Sequence, residues 1–157
     1  GSIEKGFEVC FDVLAKLGES FPQTLENGYI VEELTETNRQ LQEFLQSSLD
    51  SLPIMRDKQK LQAMRFLDVA HWLSFQQKSW YFPLVSARMV KLTISHGLSE
   101  YSAVAVSSMA WSYVNVLRNI SEGYKLGKIA MSLYKSLKFL PQAKVEIYVV
   151  AMVNIYK

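Results

Sequence analysis

Two histidines, one cysteine and a thin scatter of carboxylates are the residues of this chain whose types could do chemistry. His71 falls on a helical stretch, as signalling histidines that accept a phosphoryl group do. Its neighbours are Ala70 and Trp72 rather than the usual acid, so a packed or surface histidine is expected. His71 and His96 stand 25 residues apart with no carboxylate at ligand spacing, and no metal site is expected from them. Cys10 lies among Val9, Phe11 and Val13, which predicts a buried thiol with no His or Lys placed to lower its pKa. A lone cysteine excludes an internal disulfide and fits a reducing, cytoplasmic setting. Asp57, Asp68, Glu100, Glu122 and Glu146 are spread about one per helix, and no acid–base pair follows from them. There is no phosphate-cradling glycine loop of the Walker or kinase type, no H-E-x-x-H and no C-x-x-C. Neither catalytic residues nor cofactors are expected.

Binding chemistry is better represented. The aromatic residues Trp72, Trp80, Tyr81, Phe82, Trp111 and Tyr113 suit core packing first. Trp72, Trp80, Tyr81, Trp111 and Tyr113 are the candidate partner or ligand surface, a groove for a peptide or helix. Lys125, Lys128, Lys135 and Lys138 form a candidate basic surface on the side of their helix opposite Leu126 and Leu133. They are too sparse, and too little interleaved with aromatics, to track a phosphate backbone, so no nucleic acid is expected. Asn119-Ile120-Ser121 matches a glycosylation sequon but reads as a helix cap. Gly123 to Gly127 is a G-x-x-x-G pattern that would suggest membrane-helix pairing in an apolar span. Lys125 and Lys128 leave only close helix packing. No apolar run approaches the roughly 20 residues needed to span a bilayer.

The elements that must position these residues are helical. With 157 residues, 49% of them hydrophobic and 20% charged, the chain has the composition of an ordinary globular domain. The net charge of +2 conceals an asymmetry. Residues 1–53 hold ten acids against three bases, and residues 54–157 hold five against fourteen. The two signs are read as solvated faces of one helical stack that could also steer partners. Gly1-Ser2 resembles a tag remnant, and the chain is expected to be a fragment of a longer one, with residues 3–157 a single helical-repeat domain.

Apolar spacing predicts about seven helices. The first runs from Ile3 to Leu17, with Phe7, Cys10, Phe11, Leu14 and Leu17 as its stripe and Gly18 as its stop. The second covers about Tyr29 to Leu49, and its very polar middle, Glu36 to Gln42, makes it the most exposed. Asp57 caps the third, residues 58–76. The fourth begins near Trp80, tolerates Pro83 in its first turn and closes at His96-Gly97. Ser99 opens the fifth, Asn119 with Glu122 the sixth, and Pro141 the seventh. The tract Val145–Val150 is strand-like by propensity, but a lone strand would have no partner, so a helix apolar on nearly all sides is expected there. Such a helix would make a homo-oligomer contact. Residues Tyr101 to Leu140 organise the rest: Ala103, Val106, Ala110, Tyr113 and Leu117 face Leu126, Ile129, Ala130, Leu133 and Leu137. Small residues, notably Ala110, Gly123 and Ala130, stand at the seam.

A weak internal repeat links Glu4–Val9 to Ser121–Leu126 at an offset of 117 residues, three units of about 39. The hairpin resembles a degenerate tetratricopeptide repeat. Met109, Ala110 and Tyr113 fall at its Leu, Gly and Tyr positions, and Gly123 and Ala130 near its two small ones, without its leading Trp or closing Pro. A wider resemblance rests on Lys5-Gly6-Phe7-Glu8-Val9 through Leu17-Gly18 and Pro22, and on Leu52–Met55 to Met64–Leu67. It continues through Met89–Leu92, His96–Ser99, Ser102-Ala103 and Gly123–Gly127. These blocks are similar to the helical region of large multidomain signalling proteins. Such proteins carry a Ser/Thr-kinase-like domain, an ATPase of the STAND/AAA type, a GAF sensor and a histidine kinase. The resemblance implies an all-α fold of antiparallel hairpins stacked as a tetratricopeptide-like right-handed α-solenoid. It also implies a non-catalytic interaction and coupling role, with protein domains of the same or another chain as partners. The alternative reading is a small-ligand sensor with an apolar pocket between helices.

Overall fold

The computed structural model describes residues 1–47 and 53–136, and over these the chain is all-helical. Six helices follow one another: α1 Ser2–Lys16, α2 Tyr29–Ser47, α3 Lys58–Gln76, α4 Tyr81–His96, α5 Ser102–Asn115 and α6 Ile120–Ser136. The expected seventh helix, the Val145–Val150 tract and Lys138 lie outside the described residues. The chain divides into two compact units, Gly1–Ser99 and Glu100–Lys157.

The helix ends follow from local chemistry. The carboxylate of Asp57 accepts from the backbone N–H groups of Gln59 and Lys60 at 2.9 and 3.1 Å, capping α3 as its position predicts. Gly18, at φ +86°, ends α1. Its N–H donates to Ala15 O and the Glu19 N–H to Leu14 O, which satisfies two carbonyls that a helix end leaves open. The same six-residue closure ends α3, where Lys78 N–H donates to Phe75 O and Ser79 N–H to Ser74 O. There the left-handed position is held by Lys78 at φ 52° rather than by glycine. Ser99 does not open α5 as expected. It is buried, and the helix starts at Ser102 behind Tyr101, with no side-chain cap.

In the first unit the helices lie in the order α1, α3, α4, α2. Consecutive α1 and α2 are not packed on each other, so this unit is not a plain succession of chain-neighbour hairpins. The connector after α1 carries the chain across to the far side of α4. Helix α2 can lie there because its buried stripe is narrow, one residue per turn: Leu34, Thr37 and Leu41. Thr37 is fully buried, its hydroxyl donating to Glu33 O at 2.6 Å. Helix α4 is apolar on both flanks and buries Phe82, Leu84, Val85, Met89, Val90 and Leu92. One backbone bridge, parallel, joins Ile54 to Leu98. Leu98 N–H donates to Pro53 O and Met55 N–H to Leu98 O, each at 2.8 Å. Gly97 lies against this bridge at φ 107°, ψ 177°, a backbone region open in practice to glycine alone.

The second unit is the α5–α6 hairpin. Helix α5 is buried without a break from Ser102 to Ala110. Ser107, Ser108 and Ser112 fit because each hydroxyl is spent within the helix. Ser107 and Ser108 donate to Val104 O at 2.8 Å, and Ser112 to Ser108 O at 3.0 Å. Gly123 stands where a Cβ would meet Val114 Cγ2 and lie 3.1 Å from Ala110 O, so the small residues at this seam allow the close approach expected of them.

Candidate functional site

A buried carboxylate that the sequence does not announce, Glu19, lies where the end of α1 meets α3 and α4. It is 6% exposed. One carboxylate oxygen accepts from Lys60 Nζ at 2.8 Å and the other from Arg88 Nη1 at 2.8 Å. Arg88 also donates to Ser20 O at 3.0 Å and lies 4.4 Å from the centroid of the Phe21 ring. Gln59 Nε2 donates to Leu17 O at 3.0 Å. The end of α1 is thus fastened to the start of α3 and the middle of α4 by charge-assisted bonds. Nothing in the spacing of Glu19, Lys60 and Arg88 foretells this. The only hint is that Glu19 directly follows a helix-ending glycine, whose closure turns the chain inward.

An aromatic cluster completes the same corner. Phe7, Phe11, Phe21 and Tyr81 meet edge to face, with centroids 4.6 to 6.0 Å apart. The Tyr81 hydroxyl donates to Pro22 O at 2.6 Å and to Gln23 O at 3.1 Å, and burial raises its pKa above the ordinary tyrosine value. Tyr81 therefore holds the connector between α1 and α2 in place.

Of the other aromatics expected to form a partner surface, Trp72 and Trp80 belong to the first unit and Trp111 and Tyr113 to the second. Trp72 on α3 is 40% exposed and stacks on Phe75 at 6.3 Å, while Trp80, just before α4, is 64% exposed. Trp111 is half-buried and Tyr113 buried, both on α5 in the second unit. The basic surface is on α6 as expected for Lys125, Lys128 and Lys135, all exposed opposite buried Leu126 and Leu133. Lys125 pairs with Glu122 at 3.0 Å, and Lys128 Nζ lies 4.6 Å from the Tyr124 ring centroid. Asn119 Oδ1 accepts from the Glu122 N–H at 3.1 Å, so the sequon asparagine is the cap the sequence predicts.

His71 is buried with its ring 4.8 Å from Phe82, and His96 Nδ1 is 2.8 Å from Ser95 Oγ. Cys10 is buried, and desolvation raises its pKa above the ordinary thiol value, which disfavours the thiolate. Among the described residues no group of His, Cys, Asp and Glu could hold a metal ion, and no helix is long and apolar enough to cross a membrane. What the described surface offers is apolar side chains open to solvent: Val9, Val31, Ile54, Val69, Trp72, Trp80, Ile120 and Tyr124. No family model, curated protein or solved structure matches the chain.

Proposed function

We propose that this chain is a non-catalytic helical interaction and coupling region of a larger cytoplasmic signal-transduction protein, one that bears kinase and ATPase modules. The hairpins α3–α4 and α5–α6 are read as tetratricopeptide-like repeat units of a right-handed α-solenoid, and its partners as protein domains. The observation that carries this reading is the set of apolar side chains left exposed while polar groups at the packing seams serve the fold. Val9, Val69, Trp72 and Trp80 meet solvent, while Glu19, Tyr81 and the α5 serines serve the fold. Such a surface gains free energy by association. The resemblance of several short sequence blocks to the helical region of multidomain signalling proteins supplies the setting.

The test is hydrogen–deuterium exchange of residues 1–157 alone and within the full-length polypeptide. The interaction reading expects helical amides beside the exposed apolar side chains to slow in the full-length protein. Identical exchange in both overturns it. A metabolite that raises the melting temperature of the isolated chain by several degrees would replace it with the sensor reading.

A further inference from the structure

Helices α1 and α3 pack antiparallel. A Cβ on Gly6 would stand 3.7 Å from Leu73 Cδ1, and Gln59 reaches Leu17 O. That register sets Val9 of α1 level with Val69 of α3. Both lie on the solvent side of the seam, because the opposite sides of the two helices hold the buried Leu14, Ala63 and Leu67. Val9 is 54% and Val69 44% exposed, with Val13, Phe66 and Leu73 half-buried along the same line. The seam is an apolar trough between two helices, with Gln62 as the polar side chain inside it.

Its rims are basic. Lys5 and Lys16 on α1 and Arg65 on α3 fall beside the valines at helical spacing, and all three are exposed. None of them has an ion-pair partner among the described residues, whereas Lys60, Arg88, Lys91 and Arg39 each do. The acids of α1 fall behind this rim: Asp12 next to it, Glu8 and Glu4 further round, with Glu4 paired to the terminal amine. We propose that the α1–α3 seam is the docking groove for an acidic amphipathic helix of a partner. The partner's apolar ridge would lie between Val9 and Val69, and its flanking carboxylates would meet Lys5, Lys16 and Arg65. The chain's own residues 137–157 do not suit the groove, since they hold Lys138, Lys144 and Lys157 against Glu146. Seam-to-seam pairing of two copies would bring the same cations, Lys5, Lys16 and Arg65, towards each other, and the Leu34, Thr37 and Leu41 stripe of acid-rich α2 is already buried. The inference rests on the interaction reading and names the partner's chemistry.

The test is fluorescence anisotropy with two synthetic helical peptides of about 18 residues, long enough to hold a helix. Both carry leucines at i, i+3, i+4 and i+7 spacing. One has glutamates along its flanks, the other lysines. The expected result is micromolar binding of the glutamate peptide that weakens as salt is raised. Val69→Asp should weaken it at least about tenfold, and so should Arg65→Glu. Both positions are exposed, and far-ultraviolet dichroism verifies folding. Lys16→Glu combined with Arg65→Glu should transfer preference to the lysine peptide, an inversion that loss of folding cannot produce. Equal binding of both peptides, binding indifferent to Val69→Asp, or none at millimolar peptide overturns the proposal. Self-association of the chain that Val69→Asp abolishes assigns the seam to a second copy and also overturns it. Should the groove fail while the exchange footprint in the full-length protein persists elsewhere, the docking proposal falls and the interaction reading stands.

Discussion

The two units hold themselves together by different means. The first is tied by side chains far apart in sequence. Glu19 reaches Lys60 and Arg88, Tyr81 reaches Pro22, Lys91 reaches Glu33 at 2.9 Å, and the Pro53–Met55 backbone lies on Leu98. The second is a local hairpin whose helices approach closely because little stands between them. Buried Ser107, Ser108 and Ser112 bond within their own helix, and Gly123 leaves room for Ala110 and Val114. A unit closed by distant polar ties should be sensitive to the loss of single polar groups and to salt. One closed by small residues should be sensitive to added volume.

The largest effect is expected at Gly97, an exception in the first unit where, as at Gly123, a close approach leaves no room for a side chain. Gly97→Ala puts a Cβ onto the backbone of Pro53, Ile54 and Met55 at a φ that side chains avoid. A loss of about 3 kcal/mol in urea unfolding is expected. Gly123→Ala must push Val114 aside and crowd Ala110 O. Val114 is β-branched and has little rotamer freedom in a helix, so a loss of about 2 kcal/mol is expected, read as faster hydrogen exchange in α5 and α6. An unchanged exchange rate would break the account of the hairpin. Glu19→Gln keeps the shape but removes the charge that two cations share. Because Lys60 and Arg88 are about one-fifth to one-quarter exposed, water compensates in part, and a loss on the order of 1.5 kcal/mol is expected. That loss should shrink in high salt, whereas the Gly123→Ala loss should not.

Two smaller effects sharpen the picture. Lys78→Gly relieves a left-handed lysine and should raise stability by roughly 0.5–1 kcal/mol, measured as a shift in the urea midpoint. Cys10 has its thiol pKa raised by burial. At pH 8 its alkylation should run slower than that of a free thiol, and urea should restore the ordinary rate. A group protonated more firmly when folded contributes stability below its unfolded pKa, and that contribution fades as pH rises past it. The thiol should therefore contribute a slight weakening of the fold in alkali, a share that Cys10→Ser should remove.

Much of the local structure was written in the chain. Asp57 and Asn119 sit where their side chains cap, Gly18 where its φ closes a helix, and Lys125, Lys128 and Lys135 opposite the leucines of α6. These features depend on residues within about one helical turn of each other, and that is the range over which spacing carries information. The candidate surface was less legible. Trp72 and Trp80 are apolar by type yet meet solvent, while Thr37, Ser102, Ser107, Ser108 and Ser112 are polar yet buried. Residue type sets the cost of burial, but the neighbours decide whether that burial occurs.

From the sequence alone came the helical class, most helix boundaries and the small seam of α5 with α6, because periodicity, caps and side-chain volume act locally. The placement of α2 against α4 rather than α1, the double pairing of Glu19 and the open α1–α3 seam were decided only in three dimensions. Each depends on residues tens of positions apart being brought together, and the energy of such contacts is set by geometry that no short stretch of chain contains.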